Sequence, residues 1–244
     1  MTQPDQPVVA SWTEPEGLNP RGTVIVVPGR GEEPAVYERF GRRISADAYR
    51  VHAVANPVDD PVAAEAQVKS LVDGPKPVVL AGSDTGALFA AGLVASGRLP
   101  GVDALVLAGF PTEADGPGAP GDWDAELEAR TACPTHRGKL AGGILRRGAL
   151  YEPVPAGWAE QADLKAVPVP VLGLHGAADP LSPLAAARER YAAAPRAELV
   201  SIAGGVHDAF NDITHRTAAA TVVLFLERLR NGGDLAPIGV RESL

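Results

Sequence analysis

Short aliphatic and β-branched runs, each closed by turn residues and separated by helix-like segments, restrict this chain more than any other feature. Thr23–Val27 reads Thr-Val-Ile-Val-Val and stops at Pro28-Gly29-Arg30-Gly31. Pro77–Ala81, Val102–Ala108 and Val167–Leu174 have the same character, and Tyr49–Val54 and Ala197–Ile202 complete the set. A run that is apolar throughout has no solvent face, so it suits a strand covered on both sides, as in a parallel sheet. Helical spacing occupies the intervals Tyr37–Ala46, Pro61–Leu71, Gly86–Ser96, Pro183–Ala193 and Thr214–Arg230. Such alternation implies right-handed strand–helix–strand crossovers, with Val8–Trp12 as an added edge strand. Reactive groups then belong in loops at the carboxyl ends of strands, after Val27, Ala81, Ala108, Leu174 and Ile202.

The 244 residues suit one domain spanning 1–244. Residues 112–166 break the rhythm with a Gly/Pro/Asp-rich stretch and a helix expected over Asp122–Thr131, which reads as a lid inserted above the site. A formal charge of −8 without a Lys/Arg cluster argues against a nucleic-acid partner. The single cysteine, Cys133, excludes an intramolecular disulfide and a cysteine-based zinc site. The first residues lack the pattern of a secretory signal and no apolar stretch is long enough to span a bilayer, so a cytoplasmic protein without membrane association is expected. No complete phosphate-loop or dinucleotide fingerprint occurs, and no cofactor is expected. His207, Asp208, Asp212 and His215 are of metal-ligand type, but adjacent side chains point apart, and no metal is expected. Composition leaves the oligomeric state open, a homodimer included.

The informative stretch is Val78-Val-Leu-Ala-Gly82-Ser83-Asp84-Thr85-Gly86-Ala87. A nucleophile elbow has the form G-x-Nuc-x-G between a buried strand and a helix, with small residues two places either side of the tip. Gly82 and Gly86 fill those places and put Asp84 at the tip; making Ser83 the tip would put bulky Thr85 where a small residue is needed. The plainer reading makes Asp84 an N-cap of the following helix. The rest of the chain favours the elbow, because Asp179 follows one later strand and His207 the next, in the order nucleophile, acid, histidine.

Pro28-Gly-Arg-Gly-Glu32 followed by Tyr37-Glu-Arg-Phe40 resembles the H-G-x-G-E…Y segment of monoacylglycerol lipase and lysophospholipase-like hydrolases of the α/β-hydrolase superfamily. The resemblance runs over most of residues 20–230 and is weakest across the lid. It implies an α/β-hydrolase fold: a mostly parallel central sheet flanked by helices, with a small lid inserted before the seventh strand. Two departures stand out. Pro28 replaces the usual histidine, and Asp84 replaces the usual serine. An elbow aspartate marks the epoxide hydrolase and haloalkane dehalogenase branches, which carry Trp or Arg where this chain has Thr85.

A carboxylate attacking an ester carbonyl would give a reactive mixed anhydride, whereas attack on an sp³ carbon gives a stable alkyl ester. The expected activity is therefore hydrolysis of a small molecule, epoxide-like ahead of haloalkane, with Asp84 as nucleophile and His207, held by Asp179, activating water. Backbone N–H groups of Arg30 and Thr85 are expected to form the oxyanion hole. Among lid residues, Tyr151 is the candidate acid for the departing oxygen, and Trp123 and Trp158 are candidate pocket walls, although ordinary packing accounts for all three. The Arg30 side chain reads as a solvated arginine more readily than as an anion holder. His175 reads as a hydrogen-bonded structural residue, and His52 and His136 lack ligand-spaced partners. The rival readings are an esterase, thioesterase or lyase acting without a covalent aspartate, and a ligand-binding protein that has kept only the fold.

Overall fold

The computed structural model describes residues 10–112, 122–240 and 242, so Val8 and Val9 of the expected edge strand and residues 113–121 of the expected lid lie outside it. Each apolar run becomes a strand: β1 (Ala10–Trp12), β2 (Gly22–Val27), β3 (Tyr49–Ala53), β4 (Val78–Ser83), β5 (Ala104–Ala108), β6 (Val171–Gly176) and β7 (Ala197–Ile202). They form one sheet in the order β1-β3-β2-β4-β5-β6-β7, with β1 antiparallel to β3 and every other pair parallel. The helices are α1 (Glu38–Ser45), α2 (Pro61–Leu71), α3 (Thr85–Ala95), α4 (Trp123–Arg130), α5 (Pro134–Ala141), α6 (Trp158–Gln161), α7 (Leu184–Ala192) and α8 (His215–Asn231).

Both faces of the sheet are covered, which is why β2, β4 and β5 are buried at every position. Alternate residues feed two separate cores. Val24 and Val26 pack with Phe40 and Ile44 of α1 and Val222, Phe225 and Leu226 of α8. Ile25 and Val27 pack with Val68 of α2 and with Leu88 and Leu93 of α3. From β2 the chain moves one way to β3 and then back across to β4. The carboxyl ends of β2 and β4 thus flank the point where the winding reverses, where open α/β sheets leave a crevice for ligands.

The segment between β5 and β6 carries α4, α5, α6 and single 3₁₀ turns at Ala149–Tyr151 and Leu164–Ala166. It precedes the sixth strand in chain order, not the seventh, because the described residues ahead of β2 supply one strand, the three-residue β1. Asp122 caps α4 by accepting from Ala125 N at 2.9 Å. Strand β6 starts at Val171, later than the apolar pattern from Val167 suggests, because Pro168 and Pro170 cannot donate to a ladder.

Candidate active site

The bend between β4 and α3 is set by what glycine allows. A Cβ at Gly86 would stand 2.2 Å from Val27 O, and one at Gly82 would stand 2.4 Å from Gly86 O. Only hydrogen fits at either place, so strand and helix meet at the distance that forces Asp84 to φ 49°, ψ −126°. Ser83 is the last residue of β4, and Asp84 occupies the tip. Its side chain makes no cap to α3, which disposes of the N-cap reading.

The carboxylate turns instead toward the loops after β2 and β7. His207 Nε2 lies 3.3 Å from Asp84 Oδ1, and His207 Nδ1 lies 2.9 Å from Asp179 Oδ2. Asp179 is fixed in turn by the N–H groups of Leu181 and Ser182, which donate to Oδ1 at 2.8 and 3.1 Å. His175 Nε2 donates to Ser182 O at 2.6 Å and lies 3.5 Å from Asp179 Oδ2, in keeping with a structural role. Three residues from three separate loops therefore form a continuous carboxylate–imidazole–carboxylate chain.

Arg30 is not a solvated arginine. Its side chain is 3 % exposed and that of Asp84 is 1 % exposed. Nε donates to Asp84 Oδ2 and Nη2 to Oδ1, both at 2.8 Å, while Nη1 donates to Glu152 O at 2.6 Å. The Arg30 backbone N–H also donates to Oδ2, at 2.9 Å. The sequence could not reveal this, because a Gly-Arg-Gly turn reads as exposed until the inserted segment folds over it. With His207 counted, four N–H groups converge on one carboxylate, and its acceptor sites are filled.

Electrostatics follow from this geometry. Burial alone would raise the Asp84 carboxyl, but the Arg30 guanidinium and His207 reverse that and hold it well below the ordinary carboxylate range. Burial works against a charged His207, yet Asp179 and Asp84 on its two nitrogens push it up to about 10. Asp179 is held low, the cost of burial being outweighed by His207 and the Leu181 N–H. The neutral-pH state is therefore a row of four buried charges of alternating sign: Arg30, Asp84, His207 and Asp179.

The loop after β2 is held by residues that pattern reading passed over. Gly29 N donates to Glu32 Oε2 at 2.9 Å, and Tyr37 Oη donates to the same carboxylate. Asn56 Nδ2 reaches Gly29 O at 2.7 Å and Glu32 O at 3.0 Å. Arg130 of α4, fully buried, donates to Arg30 O at 2.9 Å, Glu32 Oε1 at 3.2 Å and Glu126 Oε1 at 2.9 Å. Glu126 and Arg130 stand four apart on a helix, the pattern of an exposed pair, so nothing in the sequence marked them as core. His136 Nε2 lies 3.1 Å from Asp208 Oδ2. His52 Nδ1 lies 2.8 Å from Ser11 Oγ.

The remaining candidates fall as follows. Thr85, buried at the start of α3, has a hydroxyl without a hydrogen-bond partner among the described residues. Tyr151 is half-buried beside Glu152, whose carbonyl holds Arg30. Trp123 lies under the Arg147 guanidinium at 4.8 Å. Trp158 packs on Phe89, centroids 5.1 Å apart, and lines a cavity of about 470 Å³ with Leu88 and Gly92 that includes neither Asp84 nor His207. Both tryptophans are thus engaged in packing. A cleft of about 550 Å³ opens on the inserted-segment side of the β2 loop, lined in part by Gly31, Glu32, Asn56 and Arg146. No group of His, Cys, Asp and Glu suited to a metal ion occurs among the described residues.

A mostly parallel, doubly covered sheet with a strained elbow and a carboxylate-held imidazole defines the α/β-hydrolase fold, and the chain has that fold. Solved structures bear it out. The chain superposes on a monoacylglycerol lipase of Paleococcus ferrophilus with TM-score 0.70 at 17 % identity, covering 92 % of this chain and 98 % of that one. A soluble variant of monoglyceride lipase from Saccharomyces cerevisiae gives TM-score 0.72 at 15 % identity, with 91 % of each chain covered. An esterase from a Rhodococcus species gives 0.64 at 20 % identity, over 91 % of this chain and 95 % of that one. No protein-family model matches the chain. No curated protein matches it in sequence.

Proposed function

We propose that the protein is a small-molecule hydrolase in which Asp84 forms a covalent alkyl ester with an epoxide-like substrate. The observation that supports this best is the 3.3 Å approach of His207 Nε2 to Asp84 Oδ1 at the tip of the elbow, with Asp179 behind the imidazole at 2.9 Å. Oδ2 takes the Arg30 backbone N–H, which makes Oδ1, once released from Arg30 Nη2, the attacking atom. It bonds to an epoxide carbon as the ring C–O bond breaks, and the electron pair goes to the departing oxygen. We assign Tyr151 of the inserted segment, which serves as the lid, to give that oxygen its phenolic proton; it regains one from the His207 imidazolium, which leaves the imidazole neutral.

Neutral His207 then takes a proton from water as the water oxygen attacks Asp84 Cγ. Negative charge develops on Oδ2, where the Arg30 and Thr85 backbone N–H groups form the oxyanion hole. Collapse breaks the bond between Asp84 Cγ and the alkyl oxygen, and the departing alkoxide takes the proton of the newly formed carboxyl group; the diol leaves, the carboxylate is restored and His207 is protonated again, so the net change is addition of one water. Protonated His207 is thus the resting state, and loss of the Asp84 charge on alkylation lowers its affinity for the proton when a base is needed.

Single turnover in ¹⁸O-water tests the covalent step. Label should appear in Asp84, and His207→Gln should accumulate the alkyl-enzyme by mass spectrometry. Full activity in Asp84→Ala would remove the mechanism.

One observation favours a second reading: the Arg30 fork fills the acceptor sites of a carboxylate that is almost fully buried. Under it the pair is a fixed structural element, and the protein either binds a ligand without turnover or directs water at an ester, thioester or lyase substrate. Ester substrates would match the names of the lipase and esterase structures it resembles. Unchanged function in Asp84→Asn would point this way.

A further inference from the structure

Arg30 is a buried guanidinium whose single ion-pair partner among the described residues, Asp84, is the group that the proposed chemistry consumes. The inference rests on that reading and deepens it. Two requirements meet at this one side chain. Before reaction, Oδ1 is tied to Nη2 at 2.8 Å and must be released to approach a carbon atom. After reaction, Asp84 is a neutral ester, and Arg30 loses the one carboxylate that its guanidinium hydrogen-bonds, with Glu152 and Glu32 acting on it only through space. An unpaired buried charge is strongly unfavourable, so a partner of the same sign as Asp84 must replace it.

We propose that Arg30 is the recognition site for a carboxylate carried by the substrate, which takes the place of Asp84 on the guanidinium fork as Asp84 reacts. The fork already shows its fit to that group: Nε and Nη2 hold two oxygens of one planar carboxylate at 2.8 Å each. The third nitrogen, Nη1, is anchored to Glu152 O at 2.6 Å, so the guanidinium keeps its place when the carboxylates exchange. The Glu152 side chain pairs with Arg146 at the surface, the two side chains being 44 % and 46 % exposed. The substrate class is therefore an epoxide bearing a nearby carboxylate, and neutral epoxides meet a nucleophile that remains locked.

Two measurements test this. Oxirane-carboxylate and its neutral amide are each incubated with His207→Gln, and the label on Asp84 is followed by peptide mass spectrometry. The acid should label Asp84 at least about a hundredfold faster than the amide, because a site built to bind one polar group rejects the analogue lacking it. Arg30→Met should erase that preference. Equal labelling by acid and amide overturns the carboxylate site and leaves the covalent mechanism standing.

If neither compound labels Asp84, the covalent mechanism fails, and melting of Asp84→Asn decides the carboxylate site alone. Acetate, against chloride at equal ionic strength, should then raise the Tm of Asp84→Asn saturably by about 2–4 °C or more. It should do so neither in wild type nor in Asp84→Asn/Arg30→Met, which leaves no guanidinium unpaired. Absence of an acetate effect in Asp84→Asn, or an equal effect in the double variant, overturns the proposal.

Discussion

At the scale of single residues the site is a charge row, and its protonation is its most testable property. His207 lies between two carboxylates that hold its proton to about pH 10, against the burial that would strip it. Nitrogen-15 NMR of histidine-labelled protein should show both His207 ring nitrogens protonated at pH 8, and a neutral tautomer there would contradict the charge row. Asp84→Asn removes one of the two anions and should bring the His207 pKa down. The same change leaves Arg30 buried without its partner, and breaking a buried ion pair of this kind costs about 3–5 kcal/mol. Denaturant unfolding of Asp84→Asn measures that loss; a change within experimental error would mean that Arg30 readily leaves for solvent.

At the scale of elements, two joints hold the site together. The first is the elbow, where strand and helix approach so closely that a methyl group at Gly86 would enter the carbonyl oxygens of Val27 and Pro28. Gly86→Ala should destabilise the protein by about 1–3 kcal/mol or more and displace Asp84 from His207, read as a lowered denaturation midpoint together with loss of any Asp84 labelling. The second joint is α4. Its last carbonyls, which lack partners within the helix, accept from His207 N (Ala129 O, 3.3 Å) and Asp208 N (Arg130 O, 2.8 Å), while its Arg130 side chain holds the loop after β2. One short helix thereby aligns the loop that carries the imidazole with the loop that carries Arg30. Arg130→Met leaves Glu32 and Glu126 buried without their cation and should cost about 3–5 kcal/mol in the same assay.

At the scale of the whole molecule, stability should carry the signature of the buried row. A histidine whose pKa is raised on folding contributes stability that is fully present below its unfolded value and is lost as pH rises through its folded value. For His207 the window runs from about 6.5 to about 10. Asp84 and Asp179, both held low, act in the opposite sense: their contribution is present above the ordinary aspartate value and disappears as pH falls through the folded values. Wild-type Tm should therefore fall as pH rises from 7 to 10, and His207→Gln should show a shallower fall. Parallel curves for the two proteins would show that His207 is not charged in the fold.

The strand runs, the helices between them and the frame of the elbow were legible in the chain itself, because they depend on local rules. A β-branched run needs cover on both faces, and Gly82 and Gly86 leave Asp84 as the tip whatever lies elsewhere. The order Asp84, Asp179, His207 also followed from loop positions at strand ends. What Arg30, Glu126 and Arg130 do was decided only by the tertiary structure. An arginine in a glycine turn and an i,i+4 pair on a helix look the same whether water or protein surrounds them, and burial by a segment some hundred residues away converts them from solvated charges into the fixed partners of Asp84 and of the loop after β2. Charge in the interior is a property of contacts between distant stretches of chain, and no local pattern encodes it.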